Sequence, residues 1–152
     1  DPGVKPGIFY QKEKLYMDMT SSINDPALAA KAMFPKNYEP ITGEFLETYS
    51  EPIEILKNIY ESSGGIVQLD VADLGGIFRI PTKKMLDDWI KQTKGRSGID
   101  ADLYLAAMCV LYPDGQTIRN WVDHGSPGVA GSFARALMEE AKVAVEANRK
   151  KL

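Results

Sequence analysis

Residues 66–80 read IVQLDVADLGGIFRI, and this stretch carries the strongest β-strand signal in the chain. Apolar and polar residues alternate from Val67 to Val71, which is the pattern of a strand with one buried face. Residues 72–76 supply turn-forming residues, and residues 77–80 return to strand character. The stretch therefore predicts an antiparallel hairpin with a rather long loop, in which the glycines permit positive φ angles.

Three helices are predicted before this hairpin. Asp25 followed by Pro26 has the pattern of a helix N-cap and its first helical residue. Thr42 and Ser50 are predicted to cap the next two helices. The Ser-Ser-Gly-Gly sequence at residues 62–65 then interrupts the chain, and it is the candidate for a subdomain boundary.

More helices are predicted after the hairpin. One covers residues 81–92, and a second covers residues 101–111 with Asp100 as its cap; the second is apolar almost all round and is expected to be central. A Tyr-Pro-Asp-Gly turn at residues 112–115 and a short amphipathic piece follow. The last helix is predicted to start at about Ser132, as its N-cap, and to end near residue 148.

The helical spacing also predicts the core. Ile90 and Met138 are expected on the buried faces of their helices. The predicted central core residues are Trp89, Leu103, Ala107, Val110, Phe133 and Leu137. Together these elements define a mostly helical α+β fold, with helices packed around a small antiparallel hairpin or sheet. Residues 11–152 are predicted to form a single globular domain.

Residues 1–10 read DPGVKPGIFY, and they are predicted to form an extended N-terminal arm. Two Pro and two Gly disfavour regular structure there. The arm ends in an apolar tip formed by Ile8, Phe9 and Tyr10, which are the candidate partner-binding residues. Such a tip either folds back on its own domain or docks on another chain. Alternation from Leu15 to Thr20 predicts a short strand directly after the arm.

The charge balance and the single cysteine exclude several classes of protein. The net charge is −3, and 18 basic residues are interspersed with 21 acidic ones, whereas a nucleic-acid-binding domain is usually basic on one face. No stretch approaches the roughly 18 apolar residues of a membrane span. Cys109 lies in an apolar run, so it is expected to be buried and unreactive, and the lack of a disulfide partner predicts a cytoplasmic location.

The sequence offers little for catalysis or for metal binding. Its one histidine, His124, lies in DHGSPG, which is similar to a stretch near the oxyanion hole of some hydrolases. A nucleophile elbow and a second histidine are both missing from the sequence. One His and one Cys do not make a closed zinc site. The sequence therefore predicts no catalytic, cofactor-binding or metal-binding residue.

From Val67 to about Ala147 the chain arranges its motifs in a recognisable order. A β segment ending in Asp-Leu-Gly-Gly (73–76) leads through Phe-Arg-Ile to a helix that Thr82 opens. An apolar helix, the turn at residues 112–115 and a long Ala-rich helix follow. This order resembles the tail-assembly chaperones of long-tailed bacteriophages, which place a Leu-Gly-Gly type of turn before a helix and a Pro-Asp-Gly type of turn before the final helix.

This resemblance implies a non-enzymatic assembly factor that binds tape-measure and tail-tube proteins in the host cytoplasm, often as a multimer and without a cofactor. Residues 1–65 do not match the pattern, so the chain could instead be a related virion or accessory component, and this alternative stays open. The alternative is a structural subunit whose arm contacts a neighbouring copy. A third reading is a small hydrolase-like enzyme around Asp123, His124 and Tyr112. The first two readings predict protein partners and a homo-oligomer, without nucleic acid or membrane.

Overall fold

A computed structural model describes residues 25–146, with side chains through Lys142. These residues form seven α-helices and a three-stranded antiparallel sheet, which confirms the predicted α+β class. The predicted arm, its tip Ile8, Phe9 and Tyr10, and the predicted strand at residues 15–20 lie outside the described residues. In chain order the elements are α1 (Pro26–Ala32), α2 (Gly43–Thr48), α3 (Ser50–Tyr60), a 3-10 turn (Glu61–Ser63), β1 (Ile66–Val71), β2 (Leu74–Arg79), α4 (Lys83–Thr93), α5 (Ile99–Cys109), β3 (Val110–Tyr112), α6 (Gly115–Asp123) and α7 (Gly128–Glu146).

The predicted hairpin is present, but its loop is shorter than expected. Val71 pairs with Leu74, so the turn consists of two residues, Ala72 and Asp73. Ala72 takes the positive φ of 56° that the sequence had assigned to the glycines. The prediction of a long loop was wrong because a two-residue turn keeps the twist of the two strands and allows more backbone pairs to form.

The glycine pair of the hairpin lies inside β2 instead of in the turn. A Cβ atom on Gly76 would lie 2.8 Å from the ring of Phe78 and 3.0 Å from the carbonyl oxygen of Tyr112. A Cβ contact of 2.8 Å essentially never occurs in proteins, and one of 3.0 Å is unusually tight. Glycine at this position therefore lets β2 and β3 approach each other closely.

Strand β3 replaces the end of a predicted helix. The helix pattern was extended through Leu111, whereas α5 ends at Cys109 and the next three residues form β3, in which Val110 and Tyr112 pair with β2. All three residues of β3 are buried. A short apolar run is compatible with either a buried helix or a buried strand, and pairing with β2 decided the outcome.

The sheet lies between two apolar cores. The larger core is formed with α5, α6 and α7, and the N-terminal core is formed with α1, α2 and α3. Strand β2 contributes Phe78 to the first and Ile77 to the second, as expected for side chains that alternate across a strand. The larger core consists of Phe78, Leu103, Leu105, Ala106, Cys109, Val110, Ile118, Val122, Val129, Ala130, Phe133, Ala134 and Leu137.

Some of the predicted caps are present and others are not. The side chain of Asp25 accepts hydrogen bonds at the start of α1 and that of Thr42 does so at the start of α2, as predicted. Thr82 was predicted to lie within its helix, whereas it is the cap of α4, which starts at Lys83. Ser50 is instead the first residue of α3, and Asp100 lies in the first turn of α5 behind the cap residue Gly98. Both predicted caps were wrong because each helix starts one or two residues earlier than the predicted cap allows.

The last helix starts at Gly128, so Ser132 is an interior residue and not its cap. Gly128 and Gly131 had suggested a loop, because glycine is a poor helix former. Val129 and Ala130 are almost fully buried in the larger core. Their burial favours helix at these positions and outweighs the low helix propensity of the two glycines.

Four of the six predicted central core residues are buried, namely Leu103, Val110, Phe133 and Leu137. Ala107 is exposed and Trp89 is only half-buried. Ile90 and Met138, which were expected on buried faces, are 51% and 45% exposed. These predictions were wrong because the spacing identifies an apolar face, while the neighbouring helices decide how much of that face is covered.

Candidate functional site

The apolar stripe of helix α4 is only partly covered by the rest of the protein. Leu86 and Trp89 contact the larger core, yet every residue of α4 keeps some of its surface accessible. The indole Nε1 of Trp89 donates a 2.7 Å hydrogen bond to the backbone oxygen of Ala101, which fixes the ring against the start of α5. A half-buried and anchored indole is a rigid apolar surface, of the kind that is enriched in binding interfaces.

The opposing face of α7 is lined by small residues beside one large one. Ala134 and Ala141 are buried, whereas Met138 lies between them along the helix and is 45% exposed. Because alanine side chains are short, they leave room between α7 and α4. Methionine adds a flexible apolar group that can adapt to different ligands.

A groove of about 840 Å³ lies between α4 and α7. We call it the α4/α7 groove, and its apolar lining consists of Pro81, Leu86, Trp89, Ala134, Met138 and Ala141. This volume falls in the range of binding clefts, roughly 300–1,000 Å³. The apolar lining and the half-exposed Met138 make the groove a candidate site for an apolar partner surface.

Charges of both signs surround the groove. Lys83 on α4 donates a 2.7 Å hydrogen bond to Asp87, which raises the pKa of Lys83 through the hydrogen bond and the negative charge. Arg135 and Glu139 are exposed on α7 at the groove edge. The groove is thus mainly apolar, with Asp102 of α5 and charges of both signs along its lining, and this mixture resembles the layout of protein interfaces.

A second cavity of about 860 Å³ lies at the turn between α4 and α5. It is almost equal in volume to the groove, so volume does not distinguish the two. Its lining mixes charged residues, among them Lys94, Arg96 and Asp123, with apolar residues such as Ile99 and Val122. It is therefore less uniformly apolar than the α4/α7 groove.

Cys109 is fully buried in the larger core, which confirms the predicted burial. Burial raises the pKa of the thiol to about 12, and the positive charge of Arg79 opposes that shift only in part. Because the thiolate is the reactive form, a thiol with so high a pKa is a poor nucleophile at neutral pH.

The hydrolase-like hypothesis concerned Asp123, His124 and Tyr112, and the structure gives each of them different surroundings. His124 is exposed and follows the last turn of α6. The Tyr112 hydroxyl hydrogen-bonds with the backbone N–H and carbonyl of Glu39, at 2.6 and 2.9 Å. Its hydrogen bonds are thus directed to the N-terminal segment, and Asp123 lines the second cavity instead.

Residues 25–142 contain no group of three or more His, Cys, Asp or Glu side chains that could hold a metal ion. None of the helices between Pro26 and Glu146 has the length and apolar content needed to cross a membrane. Comparison of the chain with models of known protein families, with curated proteins and with solved structures finds no match.

The predicted partner-binding residues Ile8, Phe9 and Tyr10 lie outside the described part of the chain. The α4/α7 groove was missed by sequence reasoning, which assigned Met138 to the core. One signal was present in the sequence, since α7 places alanines at positions 134 and 141 on the face that also carries Met138. That pattern does not specify how far away the facing helix lies, so it does not reveal a groove.

Proposed function

We propose that this chain is a non-enzymatic protein-binding assembly factor, and that the α4/α7 groove holds a segment of its partner. The observation that carries the proposal is the exposure of Met138 beside the anchored indole of Trp89. When a partner covers two large apolar side chains that face a cleft, binding is favoured by roughly 25 cal/mol for each Å² of apolar surface removed from water.

The partner segment that fits this groove is an amphipathic helix. Its apolar stripe would contact Leu86, Trp89 and Met138, while its flanking charges would meet Lys83, Arg135 and Glu139 on the rim. Helix-in-groove binding uses this combination of an apolar floor and a polar border. A small apolar molecule is the competing occupant, but it would form no favourable contacts with the charged rim.

The order of motifs in residues 67–147 supports a more specific assignment. It resembles that of phage tail-assembly chaperones, so the partners proposed here are the tape-measure and tail-tube proteins of a long-tailed bacteriophage. The chain would then act as a homo-oligomer in the cytoplasm of the infected cell.

Co-expression with the tape-measure protein of the neighbouring gene tests this assignment. We expect the tape-measure protein to remain soluble with the chain, to precipitate without it, and to elute with it in gel filtration. Genes of another type beside this one, or a tape-measure protein whose solubility is independent of the chain, would contradict the assignment to phage tails.

The alternative is a structural virion or complex subunit that contacts its neighbours through residues 1–10. Deletion of these residues separates the two readings. A subunit of that kind would lose self-association and keep its melting temperature, as measured by sedimentation and thermal melts. An assembly factor that uses the α4/α7 groove would keep its affinity for the tape-measure protein after the same deletion.

A further inference from the structure

Strand β1 has an outer edge that is not paired with another described strand. The sheet order is β1-β2-β3, so β2 covers one side of β1 only. The other end of the sheet is different, because the three residues of β3 are all buried. An accessible strand edge is a template for pairing with a further strand.

The register identifies the backbone groups on that edge. Val71 and Leu74 close the two-residue turn as a hydrogen-bonded pair, and Ile80 N–H donates to Gly65 at 3.1 Å at the far end. Hydrogen-bonded and non-hydrogen-bonded pairs alternate along an antiparallel hairpin. Gln68 and Asp70 therefore direct their N–H and carbonyl groups away from β2, and these groups have no backbone partner within residues 25–146.

On β2, by contrast, the backbone groups that point away from β1 have hydrogen-bond partners. Gly75 also directs its N–H and carbonyl group away from β1, and both bond to the Tyr38 hydroxyl at 3.0 Å. Beyond that point β3 pairs with β2. The outward groups of β2 are thus satisfied by a side chain or a strand, in contrast to those of β1.

The two faces of β1 differ in polarity. Val67, Leu69 and Val71 lie on the larger core but remain only half-buried, while Gln68 and Asp70 are exposed on the opposite face. A strand added to this edge would cover the half-exposed apolar row if it carried apolar residues on the same face. It would need polar residues on the face of Gln68 and Asp70.

Residues 15–20 of this chain have that pattern. They read LYMDMT, with Leu15, Met17 and Met19 on one side and Tyr16, Asp18 and Thr20 on the other. Their length equals the six residues of β1. They also lie only a few residues before Asp25, where the described part of the chain begins.

We infer that the outer edge of β1 is a strand-docking site and that its occupant is residues 15–20 of this chain. The docked segment extends the sheet to four strands. It places Leu15, Met17 and Met19 over the row Val67, Leu69 and Val71, and it supplies partners for the outward backbone groups of Gln68 and Asp70. This surface is separate from the α4/α7 groove, so the inference does not depend on the proposed function.

Amide hydrogen exchange of the full chain, resolved by residue, tests the inference. The amides of Gln68 and Asp70 are expected to exchange about as slowly as those of Leu69 and Val71, which bond to β2. Free edge amides would exchange roughly a hundredfold faster, since exposed backbone groups open at almost no cost. Fast exchange at both outward amides of the unaltered chain overturns the inference.

A pair of variants at one position identifies the occupant. Asp18→Pro is expected to restore fast exchange at Gln68 and Asp70 only, because proline lacks a backbone donor and disrupts a short strand. Asp18→Asn keeps the backbone donor and should leave the protection intact. Protection that survives Asp18→Pro would overturn the assignment to residues 15–20 and would point to a second copy of β1 instead.

Discussion

The hydroxyl groups of Tyr38 and Tyr112 each hold one backbone position through two hydrogen bonds. Tyr38 bonds to both backbone groups of Gly75, and Tyr112 bonds to both backbone groups of Glu39. The two rings also stack, with centroids 5.8 Å apart. These contacts join the segment after α1 to the sheet, so the N-terminal core depends on polar atoms as well as on apolar burial.

Tyr38→Phe removes one hydroxyl and leaves the N–H and carbonyl of buried Gly75 without their partner. We expect this change to lower the free energy of unfolding by about 1–3 kcal/mol, the usual effect of an unsatisfied buried backbone group. Urea denaturation measures it. Tyr104→Phe is the matched control, because Tyr104 is 42% exposed and should change stability by less than about 0.5 kcal/mol. Equal stability of the two variants would contradict this account of Tyr38.

The pH dependence of stability follows from the raised pKa values of three side chains, those of Cys109, Tyr38 and Tyr112. Burial raises the pKa of all three groups, that of Cys109 from 9.0 to about 12. The folded state therefore favours their protonated forms, and this stabilisation is complete below the pKa values of the unfolded chain. It is lost as the pH rises, for the thiol between about 9 and about 12.

We accordingly expect the urea midpoint to fall steadily above about pH 9. Cys109→Ala should reduce the slope of that fall, because it removes the group with the largest shift, although it also creates a small cavity. A midpoint that is constant up to pH 11 would contradict the burial of these groups.

Among the elements, most helices and the hairpin follow from local sequence signals. Asp25 and Thr42 give clear cap signals, and alternation marks β1. Strand β3 and the start of α7 could not be predicted in this way. Both are decided by contacts with distant parts of the chain, namely the pairing of β3 with β2 and the burial of Val129 and Ala130.

The approach of β3 to β2 provides a test at this scale. Gly76→Ala would place a methyl group in contact with Phe78 and the Tyr112 carbonyl, which are a ring and a backbone group with little freedom to move. We expect a loss of about 1–3 kcal/mol in the free energy of unfolding, typical of overpacking.

Gly43→Ala is the matched control for this prediction. Gly43 is in the first turn of α2, and a Cβ atom there would meet nothing within 4 Å. Alanine is a better helix former than glycine, so this variant should be neutral or slightly stabilising. Thermal melts of both variants give the comparison, and a neutral Gly76→Ala would show that the two strands can separate without cost.

For the whole molecule, the separation of α4 and α7 along the chain explains why the candidate site could not be predicted from the sequence. Residues 1–10 were predicted to bind a partner because their composition alone indicates an extended arm with an apolar tip. The α4/α7 groove arises from two helices with 34 residues of sequence between them, at residues 83–93 and 128–146. Apolar spacing predicted that Trp89 and Met138 would be buried, and only the packing of α4 and α7 determines that they border a cleft.

Two variants with opposite expectations test the groove. Met138→Glu places a carboxylate inside the α4/α7 groove, and Ile90→Glu places one on α4 outside the groove lining. The two native side chains are similarly exposed, at 45% and 51%, so both variants should fold. Thermal melts that match those of the unaltered chain establish this before binding is measured.

The most direct measurement is the dissociation constant for amphipathic helical segments of the proposed partner, a tape-measure protein, determined by titration calorimetry. We predict that Met138→Glu weakens binding by at least about tenfold, as for a residue at the centre of an interface, and that Ile90→Glu changes it less than about twofold. Equal affinities for the unaltered chain and Met138→Glu, or equal losses in both variants, would contradict the claim that the α4/α7 groove binds a partner protein.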